Sequence, residues 1–237
     1  MAAPNEWSWE YAQKVLNQAY NMGIKWLAIG GGEPTEVPWL NKFLLEAYLK
    51  KIHTTVTTNG CNLGNFLEVN RIHISHDSMH AQGAALTWEE REDQVLKAIR
   101  HYRKVAELIG LNVIWTDLDR IGRHLLEEVD VVTAILPKPI KLEEGWKDKF
   151  LAAWTRCSEH VHVSVDGCLV SLAGTCAGHN CSQGKISMAL DQQGRASVCS
   201  NIASPRIEAD KLQEQWRQIR CMDYKATPRG CLVADVE

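Results

Sequence analysis

One pattern repeats between residues 24 and 136. A short run rich in β-branched or apolar residues ends in polar or glycine-rich residues, and helical periodicities lie between the runs. The strand-like runs are 24–29 (IKWLAI), 52–57 (IHTTVT), 71–75 (RIHIS), 111–116 (LNVIWT) and 129–136 (VDVVTAIL). A helix is predicted over 8–22, with Ser8 as N-cap and Gly23 as its stop. Another is predicted over 88–109, where Val95, Ile99, Tyr102, Ala106 and Ile109 share a face, and a third over 142–157. Strands alternating with helices predict a parallel sheet with helices outside it. Such sheets bind ligands at the carboxyl ends of their strands. Here those ends read GGGEPT, TTNG, SHDS and WTD, a polar rim that packing alone does not require.

The pattern changes after Cys157. Of eight cysteines, seven fall between Cys157 and Cys231, which predicts a body followed by a cysteine-bearing module. The run 160–166 (HVHVSVD) alternates like a half-buried strand. KISMALDQQGRASVCS predicts a hairpin turning near 192–194, and 208–220 predicts a last helix. With a net charge of −3, no basic footprint points to nucleic acid. No apolar run has membrane-spanning length and the first residues carry no signal-peptide stretch, so the expected compartment is the cytoplasm. In a reducing compartment the cysteines are expected as metal ligands, redox groups or small core residues rather than disulfides. Cys61 and Cys157 are expected in the core, and so are Trp26, Trp146 and Trp154.

Gly30, Gly31 and Gly32 run directly into Glu33, Pro34 and Thr35. A phosphate loop would place lysine and serine or threonine there. A carboxylate repels phosphate and Pro34 has no N–H to give it. Open backbone beside a carboxylate suits a cation or an ammonium group; the alternative is a tight strand-to-helix turn with nothing bound.

GGEPT after one strand and Thr57-Thr58-Asn59-Gly60 after the next resemble the radical S-adenosylmethionine superfamily. The resemblance implies a partial parallel (β/α) barrel over 8–158 with its first strand missing. It also implies S-adenosylmethionine as cofactor, its ammonium held by Gly30, Gly31, Gly32, Glu33 and Pro34 with Thr58 and Asn59 beside them. Ser75 and Asp77 would face the ribose or carboxylate, Thr116 would close the next strand end, and the backbone at 136–137 would lie near the adenine. The family's defining C-x-x-x-C-x-x-C loop, which ligates a [4Fe–4S] cluster, does not occur in this sequence. Two accounts stand open: a truncated product of a longer enzyme, or a degenerate member that has given up radical generation. In either, this chain alone is not expected to cleave S-adenosylmethionine reductively. It would derive from an enzyme only if the cluster loop exists in the full protein.

In the tail, Cys181, twelve residues, Gly194, four residues and Cys199 resemble the opening of the SPASM and shorter twitch extensions. The resemblance implies a cysteine-rich module over 159–237 holding an auxiliary [4Fe–4S] cluster, its ligands drawn from Cys168, Cys176, Cys181, Cys199, Cys221 and Cys231. Zinc is the alternative metal for four thiolates, although the paired C-x-x-C knuckles of zinc ribbons are missing. The expected parent activity is a maturase-like radical modification of a small-molecule, peptide or protein substrate. The rival is a non-catalytic scaffold with a structural metal site. An uncovered sheet edge makes self-association or a partner an expectation as well.

Overall fold

The computed structural model describes residues 7–66, 68–135, 144–165, 188–197, 207–221, 224–226 and 232–234. The alternation expected from the sequence is present. Strand β1 (Trp26–Ile29) leads to α2 (Leu40–Leu49), which follows the first helix, α1 (Trp9–Asn21). Then come β2 (His53–Thr58), β3 (Val69–Ser75), α3 (Ser78–Gly83), α4 (Trp88–Tyr102), β4 (Ala106–Ile114), α5 (Arg123–Leu126), β5 (Val131–Ile135), α6 (Trp146–Ser158) and β6 (His162–Val165). The strands make one parallel six-stranded sheet in the order β1-β2-β3-β4-β5-β6. Strictly sequential order with right-handed crossovers puts every connecting helix on one side of the sheet. The burial follows: Val56, Ile72, Ile74, Leu111 and Val132 are fully buried on the helix side, and their neighbours of opposite parity are more open. This is the partial-barrel α/β fold the sequence predicted, with β1 and β6 as its edges.

Two details depart from the expected boundaries. The helical periodicity over 88–109 overshoots: α4 ends at Tyr102, and Ala106 and Ile109 belong to β4. Val95, Ile99 and Tyr102 bury the helix face, whereas Ile109 pairs with Ile72 across the sheet. Apolar spacing alone cannot distinguish these uses. The 111–116 run also ends early, because Trp115–Arg120 winds into a 3₁₀ turn.

The β2–β3 crossover contains no helix among its described residues. Tyr102, fully buried, supports it instead. Its hydroxyl accepts from Gly64 N at 3.0 Å and donates to Asn62 O at 3.3 Å, and its ring stacks on Phe66 at 5.3 Å. Aromatic packing and the Tyr102 hydroxyl thus anchor this connection to the end of α4.

The chain divides into two compact units, Lys25–Leu169 and Met1–Ile24 with Val170–Glu237. Helix α1 therefore groups with the tail segment. Ser8 caps α1 by accepting from Tyr11 N, and Ala12, Val15, Leu16 and Ala19 form its buried face. In the same unit lie a short hairpin, β7 (Ala189–Leu190) with β8 (Ala196–Ser197), helix α7 (Leu212–Cys221), and the antiparallel pair β9 (Tyr224–Ala226) and β10 (Leu232–Ala234). Gly194 turns the hairpin at φ +76°, and a Cβ there would meet the Tyr11 hydroxyl at 1.8 Å. That position excludes any side chain, which accounts for the glycine at 194 in the hairpin turn.

Candidate functional site

The carboxyl ends of β1, β2 and β3 are wired together by two side chains, one acidic and one basic. Glu33 follows the glycine run and caps the 3₁₀ turn Pro34–Glu36. Its Oε1 accepts from Thr35 N at 3.1 Å, from the Thr35 hydroxyl at 2.7 Å and from the Thr58 hydroxyl at 2.7 Å. Its Oε2 accepts from Asn59 N at 2.7 Å. Oε1 is thus saturated by three donors, whereas Oε2 takes one and keeps acceptor capacity for another. Beside it, Gly31 and Gly32 adopt φ +83° and +55°, and a Cβ on either would meet nothing within 4 Å. Bare backbone here borders open space, next to an anchored negative charge.

Arg91, on α4, is the second wire and is fully buried. Its Nη2 donates to Asn59 O at 2.6 Å and to Ser75 O, and its Nη1 donates to Gln94 Oε1. It therefore joins the end of β2 to the end of β3. Burial lowers its pKa, opposed by the charges of Cys61, Asp77 and Glu33. Arg91 was not among the residues predicted for the site. Its only signal is an arginine inside an amphipathic stretch, which ordinarily marks a solvated face.

The remaining expected residues fall into separate environments. Thr58 and Asn59 contact Glu33 directly, and Ser75 reaches the group through Arg91. Asp77 is nearly inaccessible and caps α3: its Oδ1 accepts from His80 N at 3.0 Å and its Oδ2 pairs with His80 Nδ1 at 2.9 Å. Asp117 supports the same turn by accepting from Ser78 N at 2.8 Å. Thr116 is exposed in the 3₁₀ turn after β4. Residues 136–137 and Cys168, Cys176, Cys181, Cys199 and Cys231 lie outside the described residues. Cys221 is exposed at the end of α7. Cys157 is buried as expected, whereas Cys61 is exposed because the TTNG turn leads it out of the core. Among the described residues no group of three His, Cys, Asp or Glu is arranged to hold a metal.

Behind the rim, His76 is fully buried and neither ring nitrogen has a hydrogen-bond partner. Trp88 packs on it at 4.4 Å, and Glu92 Oε1 lies 3.8 Å from Nε2. Burial first, then the charges of Arg91, Arg120 and His80 against that of Asp77, push its pKa down to about 3. The native ring is therefore neutral, while the unfolded ring takes up a proton near its ordinary pKa of about 6.5. Unfolded chains then bind more protons, and stability falls as pH drops from about 6.5 toward 3, by up to about 1.4 kcal/mol per pH unit. Urea midpoints should fall between pH 7.5 and 5.5, and less steeply in His76→Phe. Equal pH slopes in the two proteins would remove His76 as the cause.

No protein-family model and no curated protein matches the sequence. Among solved structures, the fold is similar to that of Streptococcus suis SuiB bound to precursor peptide SuiA, with TM-score 0.69 and 16% identity over 93% of this chain and 63% of that one. SuiB bound to S-adenosylmethionine gives 0.62 and 14%, over 93% and 64% of the two chains. A further SuiB structure gives 0.62 and 15%, over 86% and 58%. The chain thus spans about three-fifths of the SuiB length. At these identities the likeness establishes a shared fold, the partial α/β barrel described above. No described helix is long and apolar enough to cross a membrane.

Proposed function

We propose that this chain is a radical S-adenosylmethionine-type protein whose rim at β1–β3 receives the methionine end of S-adenosylmethionine, and whose parent activity modifies a peptide or protein substrate. One observation carries the reading. The Glu33 carboxylate is fixed across two strand ends, beside glycine backbone that opens onto free space. An ammonium group needs acceptors without bulk around them. The backbone carbonyls of Gly30–Gly32 and the spare lone pair of Glu33 Oε2 supply such acceptors. Ser75 and Thr116 stand at the following strand ends and offer hydroxyls to the carboxylate or ribose. Asp77 acts at one remove, by fixing the turn into α3. SuiB has been crystallised with S-adenosylmethionine and with a precursor peptide, which supports both halves of the proposal by analogy of fold.

In this superfamily S-adenosylmethionine supplies hydrogen-abstracting power once an iron–sulfur cluster reduces it. The sequence holds no C-x-x-x-C-x-x-C loop, so no reductive step is assigned to these residues. An auxiliary cluster on four of Cys168, Cys176, Cys181, Cys199, Cys221 and Cys231 remains part of the proposal. Metal and sulfide analysis of anaerobically purified protein, with calorimetry against S-adenosylmethionine, tests both parts. About four irons with matching sulfide per chain, and saturable binding, are the expected results. One zinc without sulfide would replace the cluster by a structural metal site. Absence of S-adenosylmethionine binding would favour the non-catalytic scaffold.

A further inference from the structure

The face of the sheet opposite the helices is partly open: Val69, Gly110 and Ile114 on it are buried, but each of the six strands carries residues of this parity that keep solvent access. Thr55, Thr57, His73, Asn112, Thr133 and Ser164 on that face are half-buried at most, although a parallel sheet ordinarily covers both faces. Its chemistry is one-sided. No strand residue of this parity is Asp or Glu, while Arg71 and the histidines at 53, 73 and 162 all share it. Part of the polar lining is already ordered: His73 Nδ1 lies 2.9 Å from Asn112 Oδ1, and the Thr133 and Ser164 hydroxyls are 2.9 Å apart.

Arg71 is exposed on this face, and its guanidinium carbon stands 4.4 Å from the centre of the Trp26 ring. Trp26 is itself fixed. Its Nε1 donates to the Thr55 hydroxyl at 3.0 Å, and its ring stacks on His53 at 4.9 Å and 19°. The tryptophan expected in the core is thus 42% exposed and serves as a platform, because its parity in β1 is opposite to that of Leu27. Among the described residues Arg71 has no hydrogen-bond acceptor and no carboxylate partner. A planar guanidinium held on an aromatic ring, with its N–H donors unspent, is prepared for a bidentate oxyanion.

We propose that this open face recognises an acidic peptide, with Arg71, held on Trp26, receiving a side-chain carboxylate. The inference rests on the functional reading above and names its substrate class. Charge complementarity selects the occupant: the face carries the Arg71 guanidinium, polar hydroxyl, amide and imidazole groups, and no strand carboxylate that would repel it. The hydroxyl and amide groups between Thr55 and Ser164 match the alternating donors and acceptors of a peptide. Arg71 pairs with Thr55, three residues before Thr58, and so lies about 10 Å down the strand from the Glu33–Thr58 contact. A peptide carboxylate at Arg71 leaves about three extended residues to reach the rim.

The test uses the full chain at low ionic strength and a fluorescent, terminally blocked hexapeptide with one central Glu, against the same peptide carrying Gln. Wild type should prefer the Glu peptide about tenfold, and 0.5 M salt should weaken that preference. Arg71→Gln should abolish the preference without moving the urea midpoint, and Trp26→Leu should reduce it. Equal binding of the two peptides, no binding of either, or a preference that survives Arg71→Gln would overturn the proposal. Inorganic phosphate competing as strongly as the Glu peptide would make Arg71 a site for free oxyanions and overturn the peptide assignment. Calorimetry with S-adenosylmethionine on the same samples separates the two levels. Cofactor binding without peptide discrimination defeats this inference alone, whereas discrimination without cofactor binding defeats the cofactor reading alone.

Discussion

Replacing Arg91 with Ala should cost about 3 kcal/mol of stability. Two partly buried carbonyls, Asn59 O and Ser75 O, lose a charged donor, and Gln94 loses its partner. Truncation also leaves a cavity beneath the β2 and β3 ends. Arg91→Met separates these contributions, since the thioether fills most of the volume and donates nothing. We expect Arg91→Met to lose about 2 kcal/mol, and the difference between the variants to report the cavity. Denaturant midpoints measure both. A methionine variant as stable as wild type would show that the guanidinium contributes only bulk. It would also remove the claim that Arg91 holds the two strand ends in register.

This residue shows where reading from sequence stops. Strand and helix placement was legible because apolar periodicity reports burial directly. Val56, Ile72 and Leu111, apolar residues of the runs predicted as strands, lie on the covered face. The rim was legible too, since glycines, a carboxylate and threonines at strand ends have no packing reason to be there. Periodicity fails where one apolar residue serves two geometries, as Ile109 does at the α4–β4 junction. It also fails to separate a buried arginine from a surface one. Arg91 sits in a helix with Glu89, Glu90, Glu92 and Asp93 around it, and only the three-dimensional approach of two carbonyls distinguishes it. Trp26 is the converse case. Hydrophobicity assigned it to the core, but strand parity, set by pairing with β2, turns it to the open face. Cofactor geometry on most of the predicted cysteines depends on segments whose spacing admits several ligand sets.

Removing the Glu33 carboxylate should lower both stability and cofactor affinity, and the two losses can be told apart. In Glu33→Ala, four donors lose their acceptor: Thr35 N, the Thr35 hydroxyl, the Thr58 hydroxyl and Asn59 N. All are only partly screened by water, so a loss of about 3 kcal/mol is expected. Glu33→Gln is the sharper test because it keeps the shape. Its single carbonyl oxygen would turn to the position that receives three donors. The amide NH₂ would then face Asn59 N–H, donor against donor, at a cost of about 1–2 kcal/mol. The same substitution places a hydrogen-bond donor where the ammonium of S-adenosylmethionine needs an acceptor and a negative charge. Affinity in calorimetry should therefore fall at least tenfold in Glu33→Gln, an estimate of about 1.4 kcal/mol for a lost charge-assisted contact. A glutamine variant that is destabilised yet binds the cofactor as wild type does would confine Glu33 to bracing the loops. The ammonium would then belong to the glycine carbonyls alone. If the variant instead keeps wild-type stability and loses affinity, the carboxylate acts on the ligand directly, because the bracing contacts have survived the change.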